Sequence, residues 1–169
     1  MTDLDDEQRA LIPNPLRELT LHCIYKGIQL GSTVAVLAAT PYQLYKSRKT
    51  LSYRPIISRI GTATIYGAAT GAVLSVAMMH AILYKQQYNE YKIWDRSYRL
   101  RYSDSQNRVD RFTLSSSIVG GLAGLIIGLP SKLSPISACK GALISIPFGI
   151  LAHLAIKPVQ KPPIKTIEK

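Results

Sequence analysis

The sequence predicts an all-α fold, a bundle of four membrane-spanning helices. Three observations carry that prediction. Four runs of apolar residues approach spanning length, small residues recur every fourth position inside all four runs, and the charge lies between the runs rather than within them. Hydrophobic residues make up 47% of the 169 positions and charged ones 18%, with a net charge of +11, so apolar and basic residues must occupy separate stretches. One unit of residues 1–169 follows, since a second ordinary domain would need more chain.

The first run covers residues 21–40 and the second 60–84, with Pro41 expected to close the one and Arg59 and Lys85 to bracket the other. The third covers 113–129 between Phe112 and Pro130, and the fourth 136–156, entered through Ser134-Pro135 and left at Lys157-Pro158. Even the third is about 25 Å long as a helix, against a hydrocarbon core of about 30 Å. A soluble bundle would need a polar face on each helix, and these runs lack one. Pro147 is expected to kink the fourth. A basic tail occupies 157–169.

Lipid tails are as apolar as leucine, so helices in a bilayer associate through close backbone approach at small residues. Gly27 and Gly31 supply such a face in the first run, Ala63, Gly67, Gly71 and Ser75 in the second. Ser116, Gly120, Gly124 and Gly128 do so in the third, and Gly141, Ser145 and Gly149 in the fourth. Glycine is common in membrane helices, which would account for one such stripe, but not for four.

Residues 85–112 are polar and patterned. Tyr84, Tyr88, Tyr91, Trp94, Tyr98 and Tyr102 are spaced three or four apart, which predicts an amphipathic helix with its aromatic rings on one side. Such a stripe suits the headgroup layer or a partner subunit, so Tyr88, Tyr91, Trp94, Tyr98 and Tyr102 are candidate contact residues. Asp95 with Arg99, and Asp104 with Arg108, stand at i,i+4 and are expected to pair. The segment between the first two runs carries Lys46, Arg48, Lys49, Arg54 and Arg59 with no acid, a set suited to anionic lipid headgroups.

Catalytic readings find no footing in these residues. No phosphate loop, dinucleotide fingerprint, nucleophile elbow or HExxH occurs, and an embedded transferase or protease would need polar catalytic pairs in its spans. Nucleic acid is a poor partner for bases that flank membrane spans. His22, His80 and His153 are each alone on their runs, which disfavours a metal site. Cys23 and Cys139 fall at opposite faces, so free thiols are expected. The N-terminus opens with Asp3, Asp5, Asp6 and Glu7, unlike a secretory signal or a presequence, so any organelle would be reached by internal signals. No cofactor is expected beyond bound phospholipid, such as cardiolipin.

Four short spans with glycine stripes, a basic loop after the first, and a charged segment leading into the third resemble the mitochondrial inner-membrane preprotein translocase superfamily. Arg59-Ile-Gly-Thr-Ala-Thr-Ile-Tyr-Gly-Ala-Ala-Thr-Gly-Ala-Val-Leu resembles the second span of the respiratory complex I accessory subunit that shares that fold. The resemblance, over residues 17–156, implies a non-catalytic subunit that stabilises or assembles the membrane arm of complex I, with other membrane subunits as partners. A translocase subunit is the alternative. Translocases often carry an Asn at the start of the third span, where this chain has Thr113 and Ser115 to Ser117. They also need acidic or strongly polar residues lining a cavity at membrane depth to pass cationic presequences. No acid lies within a run, and Lys26 and Lys140, the charges that do, read as anchors snorkelling to the interface.

Four spans place both termini on one side. That side holds 13 Lys and Arg and the other holds six, which by the positive-inside rule alone puts the termini in the matrix. The resemblance implies the reverse, with termini and aromatic segment in the intermembrane space. The dense, acid-free first loop favours this second orientation, which we adopt as the expectation.

Overall fold

A computed structural model describes residues 10–48, 53–128 and 135–156. Among these the chain forms five helices: α1 (Pro15–Lys46), α2 (Tyr53–Lys85), α3 (Glu90–Arg101), α4 (Asp104–Gly128) and α5 (Pro135–Ala155). α1 opens with Pro15 in its first turn, where a missing N–H costs nothing. Glu18 at its start and Lys46 at its end complement the helix dipole. α2 ends where Gln87 and Tyr88 turn left-handed, at φ 53° and 48°, and send their N–H groups back to Tyr84 and Leu83. The Asn89 side chain then accepts from the N–H of Lys92 and starts α3.

The helices overrun the apolar runs. Pro41 lies inside α1 instead of ending it, and five further residues follow before Ser47 caps the helix through the Gln43 carbonyl. α2 starts six residues before Arg59, and α4 begins at Asp104 and so includes Asp110 and Phe112. Pro147 sits within α5, buried. Of the four expected spans, α2 and α5 are long and apolar enough to cross a membrane, and α1 and α4 are not. The reason lies in composition: the α1 run carries Lys26, Gln29, Ser32 and Thr33, and the α4 run is short and holds three consecutive serines.

α1 packs along α2, and α4 along α5, as two antiparallel hairpins. Glycines set the register of both. A Cβ on Gly27 would collide with the Gly71 backbone and Ser75, and one on Gly31 with the Gly67 carbonyl. A Cβ on Gly67 would lie 2.6 Å from both the Ala35 Cβ and the Gly31 oxygen. In the second hairpin Gly120 opposes Gly141 and Ser145, Gly124 opposes Ser137 and Gly141, and Gly149 opposes Phe112, Thr113 and Ser116. Ser75 also donates to the Cys23 carbonyl at 2.7 Å, a polar tie between helices already in backbone contact. Of Gly128 only its place at the end of α4 is described.

The hairpins meet through α2 and α5 and through α1 and α5. α3 folds back beneath the first hairpin, where Ile93 joins Leu19, Met79 and Leu83 in one apolar cluster. Trp94 packs on Ile12. Ser97, 2% exposed, donates to the Pro15 carbonyl at 2.8 Å, and Arg101 donates to that of Leu11 at 2.9 Å. Residues 11–15 are thus strapped along α3.

Residues 84–102 are largely helical, as the spacing predicts, with a turn at residues 86–89 that sets α3 off from α2. Tyr91, Trp94, Tyr98 and Tyr102 do form one ladder of rings, with centroids 6.4, 5.2 and 4.6 Å apart. Tyr84 stays on α2, and Tyr88 turns to His80 instead. Asp95 pairs with Arg99 at 3.0 Å. Arg108 reaches the Ile156 carbonyl at the end of α5 rather than forming the expected pair with Asp104.

A candidate polar site at the joint between the hairpins

Polar residues of α1 and α4 meet in one cluster. Lys26 and Gln29 stand three apart, hence on one face of α1, and Asp110 and Thr113 stand three apart on α4. Lys26 Nζ lies 2.5 Å from Asp110 Oδ1. Gln29 Nε2 donates to the same carboxylate oxygen at 3.0 Å and to Thr113 Oγ1 at 2.9 Å, while its Oε1 accepts from Lys26 at 3.4 Å. The Tyr25 and Thr113 hydroxyls share a hydrogen bond of 3.0 Å. Gln29 is 5% exposed and Thr113 fully buried, so these groups are withdrawn from solvent and each has a partner.

Lys26, expected as a free anchor, is thus ion-paired within the protein. It is held by an acid that belongs to the segment before the third run, at a level one turn inside the first. Asp110 reaches that level because α4 starts nine residues before Thr113. The sequence contained a signal for this. Counting back from Gly124 through Gly120, Ser117 and Thr113, the packed face of α4 continues to Asp110.

Chemically the cluster is a neutralised ion pair whose remaining donors and acceptors are filled by Gln29, Thr113 and Tyr25. A pair satisfied in this way favours specificity of packing over raw stability. It offers no free carboxylate as a base and no nucleophile beside one.

At the opposite end of the bundle the Lys140 stem lies across Gly61, whose Cβ would fall 2.7–2.9 Å from the Lys140 Cβ, Cγ and Cδ. Its Nζ donates to Ser58 Oγ at 3.2 Å. Lys140 thus ties α5 to α2, a role the sequence did not reveal because Ser58 lies before the second run. Lys46 stands over the Tyr42 ring and Arg48 over that of Tyr45. Arg54 and Arg59 are exposed on the first two turns of α2, and Lys49 lies outside the described residues.

Of the aromatic candidates, Tyr88, Tyr91, Tyr98 and Tyr102 are exposed, whereas Trp94 is buried against the chain's own Ile12 and belongs to the interior. A cleft of about 440 Å³ opens beside them, lined by Asn14, Arg17, Tyr88, Glu90 and Ile93 among others. The histidines are dispersed: His22 lies one turn before Lys26, His80 meets Tyr88, and His153 meets the Phe112 ring edge-on. Cys23 and Cys139 are both free thiols.

No curated protein and no solved structure matches the chain. A family model described as "Protein of unknown function (DUF1757)" matches residues 2–156, a stretch that takes in both hairpins, α3 and the polar joint. The chain belongs to that family.

Proposed function

We propose that the chain is a four-span, non-catalytic subunit of the mitochondrial inner membrane that acts by packing, and that its host is the membrane arm of respiratory complex I. One observation carries the membrane reading. All four long helices present large apolar side chains outward: Leu30, Val34 and Leu37 on α1, Val73 and Leu74 on α2, Val119, Leu122 and Ile126 on α4, and Leu151 and Leu154 on α5. Each is more than half exposed, which a water-soluble surface would not tolerate in such a belt. The strongest polar residues of α1 and α4, Lys26 and Gln29 on one and Asp110 and Thr113 on the other, are turned toward each other, and Ser32 and Thr33 bond carbonyls of their own helix, which suits a lipid-facing exterior. The host complex rests on the resemblance of residues 59–74. In this role the chain fills an edge of a larger assembly, holding lipid and neighbouring subunits against its outer faces.

The preprotein translocase reading gains from Asp110, an acid level with Lys26 within the first run. Its carboxylate is already engaged by Lys26 and Gln29, which leaves it poorly placed to receive a cationic presequence. Native-gel migration separates the two. Co-migration of the full-length chain with NADH dehydrogenase activity supports the complex I host. Co-migration with a presequence-engaged translocase, captured by crosslinking an arrested precursor, overturns it.

A further inference from the structure

The two ends of the bundle differ in how their positive charge is used. At the α3 end, three bases are paired with acids: Lys26 with Asp110, Arg99 with Asp95 and Arg101 with Glu18. All the described acids, Glu18, Glu90, Asp95, Asp104 and Asp110, belong to that half of the molecule. The opposite end, where α1 finishes and α2 and α5 begin, has Lys46, Arg48, Arg54, Arg59 and Lys140 and, among the described residues, no acid. The partners recorded there are neutral: the rings of Tyr42 and Tyr45, and the Ser58 hydroxyl. Neutral partners leave the cationic charge in place.

We infer that this acid-free end docks on a leaflet of anionic phospholipid, with the Lys140–Ser58 contact as its fixed point between α2 and α5. Charge complementarity selects the occupant. Five bases around one end of an apolar bundle produce a field that a phosphate-bearing surface fills, each adjacent base contributing severalfold to affinity. Tyr42, Tyr45 and Tyr53, exposed at the same end, are residues that favour the headgroup layer. Lys140 is preorganised, since its stem is laid over Gly61 and only its ammonium is free to exchange Ser58 for a phosphate oxygen. The positive-inside count points to the other end, but it treats ion-paired bases as though they faced the lipid. Of the 13 bases counted at that end, the fold pairs Arg99 and Arg101 with acids, which leaves 11 against six.

This inference rests on the membrane-spanning reading, and the experiment keeps the two apart. The full chain is reconstituted in vesicles of phosphatidylcholine alone and of phosphatidylcholine with cardiolipin, and resistance to alkaline carbonate extraction is scored first. Extraction from both vesicle types sinks the four-span reading. Cardiolipin retained after detergent solubilisation is then measured by native mass spectrometry for the wild type, for Arg54→Gln/Arg59→Gln/Lys140→Gln, and for Lys92→Gln/Arg96→Gln/Arg111→Gln at the α3 end. The first variant is expected to lose about tenfold or more in retention and the second about twofold or less. Lys140→Arg, which keeps the charge, should retain wild-type binding. If the triple variant proves unstable, raising salt on the wild-type protein must itself release cardiolipin. Equal losses in the two triple variants, retention indifferent to salt, or an acidic protein partner lost from the first variant while cardiolipin stays bound would each overturn the inference.

Discussion

At the scale of single residues, close backbone approach decides which glycines matter. Gly124 and Gly121 lie on the same helix, yet a Cβ on Gly124 would strike the Ser137 carbonyl, while one on Gly121 would sit 3.6 Å from the Ala142 Cβ, an ordinary contact. Gly124→Leu is therefore expected to force α4 and α5 apart at a cost of about 3 kcal/mol. Gly121→Ala should gain about 0.5–1 kcal/mol from helix propensity. Thermal unfolding in detergent checks both signs. The Lys26 and Asp110 pair gives a second expectation: Asp110→Asn leaves an ammonium without its counter-charge and costs about 1–3 kcal/mol. A double-mutant cycle with Lys26→Met should return a coupling of at least about 1 kcal/mol, and additive effects would show that the two charges act separately. The glycines were legible in the sequence because a four-residue period needs no knowledge of the partner helix. Asp110 was harder to read: the α4 face does continue to it, but a charge ahead of an apolar run looks like loop, and its partner is 84 residues away.

At the scale of elements, the helices were legible in number and order but not in extent. Apolar runs mark what lipid or a neighbour covers, whereas hydrogen bonding continues until something stops it. Pro41 does not stop α1, because proline forfeits one backbone bond and the residues after it can resume the helix. The break that does occur, between α2 and α3, is one the aromatic spacing could not place, since that period runs on through the turn. It is made by Gln87 and Tyr88 in a left-handed conformation that side chains with a Cβ disfavour by about 1–2 kcal/mol each. Gln87→Gly should relieve that cost, partly offset by greater freedom of the unfolded chain, for a net gain of about 0.5 kcal/mol. A rise of a few degrees in melting temperature with unchanged helix content is the expected reading. A loss of stability would mean the Gln87 side chain contributes a contact that outweighs the strain.

For the whole molecule, alternating helices place the start of α1, all of α3 and the end of α5 at one end of the bundle, with Ser47 at the other. In a Cys23→Ala/Cys139→Ala background, single cysteines at Asn14 and Ile156 should react with a membrane-impermeant maleimide from the same side of a sealed vesicle, and one at Ser47 only from the opposite side. Labelling of all three from one side would remove the four-span arrangement. The architecture also bears on how the chain reaches this state. Each glycine-mated hairpin closes within its own stretch of sequence, 15–85 and 104–155, and no helix of one threads through the other. Pairing is then largely local, the condition under which folding is fast and loop closure costs least. The halves are joined by α5 packing on α1 and α2 and by side-chain chemistry: the cluster around Lys26 and Asp110 at one end and Lys140 on Ser58 at the other. On the proposed four-span reading, a gene divided after Ser103 should yield two separately inserted fragments that find each other in the bilayer and co-purify. Weakening that recognition with Asp110→Asn should separate the fragments long before it unfolds the intact chain, because the covalent link at 102–104 otherwise holds the two halves at high effective concentration.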